Sequence, residues 1–315
     1  MSKSQMSAFG VKDGDNYNGG SLRGEALQQQ LESQNQAREE KEKVGLLQWQ
    51  VAGNIYNACG GTAKRMKSGV YNLFALDGGE PAFAKTELIT DELLAFDQGV
   101  AKDVLAEIKD FRGKGEIFRK YKFLHRRGYM FFGPPGSGKT CLVNQIINQS
   151  LGTDGVAFMC DTNPSLVERA LKSFRAVEPD RFIVCLFEDI DAILACYGEA
   201  QLLSLLDGEN NVDNVLNIAT TNYPKRLDRR IVARPRRFDR VIRIGMPSED
   251  MRRAYFEKKM QITDKAELEK FVKLTKDFSF ASCADVVISV KCLDKNLEET
   301  IETLKLLSDK ENLKE

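Results

Sequence analysis

The sequence contains a single histidine, His125, and that scarcity removes whole classes of chemistry. With one imidazole and no Cys or acid cluster around it at ligand spacing, neither a Ser-His-Asp or Cys-His hydrolase nor a zinc centre is arguable. His125 is expected to pack just ahead of a strand. The seven cysteines (Cys59, Cys141, Cys160, Cys185, Cys196, Cys283, Cys292) include no C-x-x-C pair. Several lie in apolar runs, where a thiol packs as a small hydrophobe, so reduced thiols and a cytoplasmic setting are expected. No apolar run approaches the roughly 20 residues of a membrane span, and the N-terminal stretch lacks the apolar core of a signal peptide. Net charge is missing as well: 46 basic residues balance 46 acidic ones, so no global field draws the chain to nucleic acid or to an anionic membrane.

What is present is enough apolar material, 42% of 315 residues, for one to three domains at roughly 100–200 residues each. Residues 1–43 are polar and charged and are expected to be disordered, grading into a solvated helix. A helical stripe of Val44, Leu47, Val51 and Ile55 follows, then a hairpin signal around Asp77-Gly78-Gly79. Together these imply a small N-terminal α+β module at 44–89, with the hairpin a candidate for partner contact. Thr90 is a plausible helix cap ahead of Val100, Val104, Leu105 and Ile108 at helical spacing. From 90 to 246, short apolar runs alternate with helical patterns, the signature of an α/β fold with a parallel sheet flanked by helices. Residues 247–315 read as helices only.

The segment "YMFFGPPGSGKTCLVNQII" runs strand, glycine-rich loop, helix, and Gly133 to Thr140 fits G-x-x-x-x-G-K-[ST] without a mismatch. Gly133, Pro134, Pro135, Gly136, Ser137 and Gly138 form a loop whose glycines permit backbone angles that aim successive N–H groups at an anion. Lys139 adds a point charge for the β- and γ-phosphates, and the Thr140 hydroxyl a ligand for Mg²⁺. Kinases and GTPases share this cradle, so the loop alone leaves them open.

About fifty residues on, "VCLFEDIDAI" ends an apolar strand in Glu188 and Asp189, with a third acid at Asp191. "HRRGYMFFGPPGSGKT", "LFEDIDAI", "LLSLLDG", "IATTNYPKRLD" and "RPRRFDRVIRI" occur in the order and spacing of the AAA (AAA+) ATPases, which the chain resembles over roughly residues 90–290. "RRGY" and the Glu-Asp order resemble the branch of the mitochondrial ATPase that assembles the Rieske subunit, and related bacterial and phage ATPases. The resemblance implies a P-loop AAA+ module with a helical lid, binding ATP or ADP with Mg²⁺. It implies that Glu188 orders Mg²⁺ through water, that Asp189 polarises the attacking water, and that Asn222 orients this water and senses the γ-phosphate. Cys141, directly after the loop, and Ala284 in the lid are expected to line the nucleotide.

Nine basic residues lie between Lys225 and Arg243, against Asp228 and Asp239. Alone, that run suggests nucleic acid. The resemblance instead places Arg234 and Arg237 as fingers presented to a neighbouring subunit's γ-phosphate, which implies a homo-oligomeric ring, expected to be a hexamer, acting on an unknown protein client. A nucleic-acid loader and an ATP-gated scaffold with little turnover are the alternatives. Three departures accompany the match. The segment after the second core strand passes Asp161 and Pro164 into a helix without an aromatic pore loop, so threading by aromatic grip is not expected. The family's Asp-Gly-Phe reads Asp207-Gly208-Glu209, and its lid Ser-Gly-Ala-Asp reads Ser282-Cys283-Ala284-Asp285, with Cys283 expected close to adenine.

Overall fold

In the computed structural model the described residues are 48–52, 55–59, 63–87, 100–152, 154–207, 213–227, 231 and 237–308. They fall into two compact units, Met1–Lys64 and Arg65–Glu315. Thr90 lies outside the described residues.

In the first unit β1 (Gln48–Ala52) and β2 (Ile55–Cys59) pair antiparallel, from Ala52 opposite Ile55 to Gln48 opposite Cys59. The helical stripe expected at 44–58 is therefore corrected, over 48–52 and 55–58, to antiparallel strands; residues 44–47, 53 and 54 lie outside the described residues. The reason is legible afterwards: Gly53-Asn54 is a two-residue hairpin dipeptide, and Val51, Ile55 and Tyr56 are β-branched or aromatic.

The second unit is built on a seven-stranded sheet of order β4-β3-β6-β7-β8-β5-β9. Its strands are β3 (Gly69–Ala75), β4 (Pro81–Thr86), β5 (Arg126–Phe132), β6 (Val156–Met159), β7 (Ile183–Phe187), β8 (Val215–Thr221) and β9 (Arg240–Arg243). All neighbouring pairs are parallel except β3–β4. The hairpin expected in a module at 44–89 does form, but β3 pairs with β6, so it extends the main sheet. Its loop closes with Leu76 N donating to Glu80 O at 2.8 Å, and Gly78 and Gly79 take positive φ. Packing fastens it: the Phe83 ring on β4 lies 5.3 Å from Phe158 and 6.4 Å from Phe174. Aromatic pairs of this kind contribute about 0.5–1.5 kcal/mol each beyond burial. At the start of the unit, Met66 N donates to Glu178 Oε1 at 2.7 Å, and buried Arg181 donates to Met66 O at 2.7 Å and pairs with Glu178 at 2.8 Å.

Alternate residues of each central strand serve opposite faces, as a sheet covered on both sides requires. On β7, Val184 and Leu186 face α1 (Val100–Arg112) and α3 (Lys139–Leu151), through Val104, Ile108, Leu142 and Ile146. Ile183, Cys185 and Phe187 face α4 (Pro164–Val177), α5 (Ile190–Tyr197) and α6 (Glu199–Asp207), through Val167, Phe174, Ile193 and Leu202. The short α2 (Gly115–Lys120) precedes β5. As expected, His125 is buried ahead of β5, its ring 4.2 Å from that of Phe111.

After β9 the described chain is helical: α7 (Glu249–Met260), α8 (Lys265–Leu274), α9 (Phe280–Val287), a π turn (Ile288–Cys292) and α10 (Leu297–Ser308). Ser248, Asp264 and Ser279 cap the first three through side-chain oxygens, each such cap being worth about 0.5–2 kcal/mol. These helices enclose their own core of Phe256, Phe271, Val272, Cys283, Val286 and Ile301.

Candidate nucleotide-hydrolysis site

β5 delivers the phosphate loop, β7 the two acids and β8 the asparagine, and β7, β8 and β5 are adjacent in the sheet. Their carboxyl ends therefore converge at the edge where open α/β sheets bind ligands.

Gly133 can be nothing larger, because a Cβ there would lie 2.0 Å from the carbonyl oxygen of Ile244. Gly136 and Gly138 have φ of 71° and 98°, and Gly138 caps α3, whose first turn carries no acid. Lys139 Nζ donates to the carbonyls of Gly133 at 3.0 Å and Pro134 at 2.9 Å, which folds the ammonium over the loop. Burial lowers its pKa, and nearby Asp189 opposes that. Ser137 Oγ is buried without a hydrogen-bond partner. Thr140 is exposed at the helix start, and half-buried Cys141 accepts from Gln145 at 3.8 Å. A loop of positive-φ glycines with a buried, unspent hydroxyl fits a polyphosphate.

Glu188 follows the last residue of β7 and is half-buried; burial, then Asp189, then Asp161 push its carboxyl upward. Such a group favours a cation beside it, which fits a role on the metal side. Asp189 takes left-handed angles (φ 45°, ψ 56°) at the head of α5. Its backbone N–H donates to Thr220 Oγ1 at 3.0 Å, so the last turn of β8 holds this strained peptide. Asn222 Nδ2 donates to Asp189 Oδ1 at 3.5 Å, and Asn222 Oδ1 is buried without a partner. A cavity of about 360 Å³ flanks Thr140 and Glu188 and reaches Asn72, Thr86 and Asn144, so the added hairpin borders this edge of the sheet.

The lid meets the loop directly. Phe280 N donates to Gly136 O at 3.0 Å, and a Cβ on Gly136 would lie 2.7 Å from Ser279 Oγ. Ala284 is half-buried on α9. Cys283, expected near adenine, has its side chain wholly inside the lid core, where burial pushes the thiol up to about 12. That replacement is absorbed by packing. The connection from β6 to α4 is only 160–163, with Asn163 capping α4, in line with the lack of an aromatic loop there.

Of the two finger residues, Arg237 alone is among the described residues. Arg234 lies outside the described residues, as do Gly208 and Glu209. Arg237 is 3% exposed, so its guanidinium does not project for a neighbour as the sequence led us to expect. Its backbone is also closely approached: Gly128 lies against Arg237 O, where a Cβ would come within 1.7 Å, and Gly128 N donates to Asp239 Oδ1 at 2.8 Å. Arg127 pairs with Asp239 and Glu107, each at 2.9 Å, and Arg240 with Glu107 at 3.0 Å. Part of the basic run is thus neutralised within the chain.

Sequence reasoning missed Thr220 and Thr221. Their only signal is the polar end of an otherwise apolar strand, "LNIATT".

A glycine loop at the end of a strand in a mostly parallel sheet, with helices on both faces and a helical C-terminal part bonded to that loop, is the architecture of a P-loop AAA+ α/β fold. Residues 129–246 match the ATPase family associated with various cellular activities (AAA), and the chain carries an AAA ATPase domain. It is 29% identical over 180 residues to the Cell division cycle protein 48 homolog of Archaeoglobus fulgidus, covering 52% of this chain and 24% of that one. It is 30% identical over 198 residues to the Proteasome-activating nucleotidase of Saccharolobus islandicus, covering 56% and 49% respectively. The chain spans less than half the length of these curated relatives. Among the described residues no helix is long and apolar enough to cross a membrane.

Proposed function

We propose that the chain is an Mg²⁺-dependent ATPase that works as a homo-oligomeric ring, a hexamer in the simplest case, and couples ATP turnover to remodelling or assembling a protein partner in the cytoplasm. The observation that carries this reading is the meeting of Asn222 and Asp189 at 3.5 Å at the carboxyl ends of β8 and β7, β8 being next to the strand that delivers the phosphate loop. Lys139 exchanges its two carbonyl partners for phosphate oxygens. Thr140 and Glu188 would hold Mg²⁺, which when bound neutralises phosphate charge. Asp189 accepts the proton of the attacking water, and Asn222 orients that water through its amide. Arg234 is the finger supplied by the neighbour, while Arg237 is packed inside its own chain. The Glu188-Asp189 order together with Arg126-Arg127-Gly128-Tyr129 favours the Rieske-assembly branch of the family.

ATP hydrolysis measured over a range of protein concentrations tests the reading. Specific activity is expected to rise with assembly and then level off, and to vanish in Lys139→Ala along with tight ATP binding. A ring that binds ATP without turnover would be the gated scaffold instead. A nucleic-acid loader is disfavoured by the internal pairing of Arg127 and Arg240, and DNA binding that weakens steeply with salt would revive it.

A further inference from the structure

The third acid, Asp191, has no part in the scheme above, yet its carboxylate is tied to the catalytic edge. Asp191 lies in the first turn of α5 and accepts from Thr221 Oγ1 at 2.7 Å, a charge-assisted length. With its proton given to Asp191, the same hydroxyl oxygen accepts from Tyr223 N at 2.9 Å. These two bonds close a side-chain turn around the residue between them, Asn222. Thr221 is wholly buried, and its own carbonyl accepts from Gly133 N at 3.3 Å, so the clamp also touches the start of the phosphate loop. Thr220 meanwhile holds Asp189 through its N–H. Two neighbouring threonines thus fasten the end of β8 to the β7–α5 turn, one on each side of the Asn222–Asp189 pair.

We infer that Asp191 is a positioning residue for Asn222, acting through the Thr221 hydroxyl. This rests on the ATPase reading above. A clamp formed by one acceptor and one hydroxyl fixes the direction of the Asn222 amide but makes no contact with nucleotide phosphates. Its removal loosens the amide without weakening the cradle.

The test uses the full chain and four variants. Asp191→Ala removes the acceptor and Asp191→Asn restores one; Thr221→Val removes the hydroxyl at nearly equal shape and Thr221→Ser restores it. The expected result is a fall in kcat of about 10- to 100-fold for Asp191→Ala and Thr221→Val, the scale of a misplaced catalytic group, with KM for ATP within about twofold. The two conservative variants recover most of the loss. In an Asn222→Ala background, Asp191→Ala is expected to cost little more, because the residue it positions is already gone. Unchanged kcat in Asp191→Ala, or losses that multiply in the double variant, would overturn the inference. A second readout does not need turnover: the Asn222 side-chain amide resonances of the ¹⁵N-labelled chain are expected to shift or broaden in Asp191→Ala and Thr221→Val and to return in Thr221→Ser. Amide signals indifferent to all four variants would overturn it equally. Wild-type chain that binds ATP without hydrolysing it would count against the ATPase reading alone.

Discussion

The backbone N–H of Phe280, first residue of α9, donates to the carbonyl of Gly136 in the phosphate loop at 3.0 Å. The lid is therefore bonded to a peptide of the cradle itself, and any nucleotide that reshapes this peptide must also move α9. Gly136 is a glycine for two reasons at once, its φ of 71° and the 2.7 Å approach of Ser279 Oγ to where a Cβ would be.

Gly136→Ala should accordingly lose stability by about 1–2 kcal/mol from the left-handed backbone alone, with a further loss from the displaced lid. Thermal melting without nucleotide checks it. An unchanged melting temperature would mean that α9 does not sit on the loop.

The pH dependence of Glu188 gives a second prediction. Its pKa in the folded chain is raised above the ordinary 4.5 by burial and by Asp189 and Asp161. A raised carboxyl favours the folded state below its unfolded value, and that contribution is lost as pH rises through the folded value. Glu188→Gln escapes the loss, so without Mg²⁺ or nucleotide it should melt higher than wild type at pH 7 and lose that advantage near pH 4. Parallel melting curves at the two pH values decide the matter.

Much of this site was legible because its parts are contiguous in sequence. The loop from Gly133 to Thr140, the run "IVCLF" ahead of Glu188, and "LNIATT" ahead of Asn222 each carry strand and function within a dozen residues. The hairpin turn was legible for the same reason, through Gly78 and Gly79. What it pairs with was not: β3 meets β6, more than eighty residues away, and no local pattern names a strand's partner. Residues 44–58 carry spacing compatible with either period, and the Gly-Asn dipeptide between Val51 and Ile55 is a hairpin signal in the sequence that outweighs the stripe. Arg237 shows a different limit. A motif supplies the residue type, whereas burial is set by the tertiary surroundings, here including Gly128, over a hundred positions earlier, against the Arg237 backbone.

Arg234 and Arg237 should separate experimentally. Arg237→Ala is expected to lower the melting temperature, since a buried side chain is removed. Arg234→Ala should bind ATP and lose turnover by as much as about 10³-fold, the lower range for arginine fingers. Mixing inactive Arg234→Ala with inactive Lys139→Ala should restore activity, because intact cradles then meet intact fingers across subunit boundaries. A mixture as inactive as its components would refute the shared site.

The most direct test is phosphate release by wild type and Asp189→Asn, with ATP affinity measured on both. The account predicts steady turnover in wild type and a loss of about 10²- to 10⁴-fold in Asp189→Asn at nearly unchanged affinity, as for removal of a general base. Equal rates in the two proteins, or a wild type that holds ATP and never cleaves it, would contradict the claim that Asp189 and Asn222 form a working hydrolytic site.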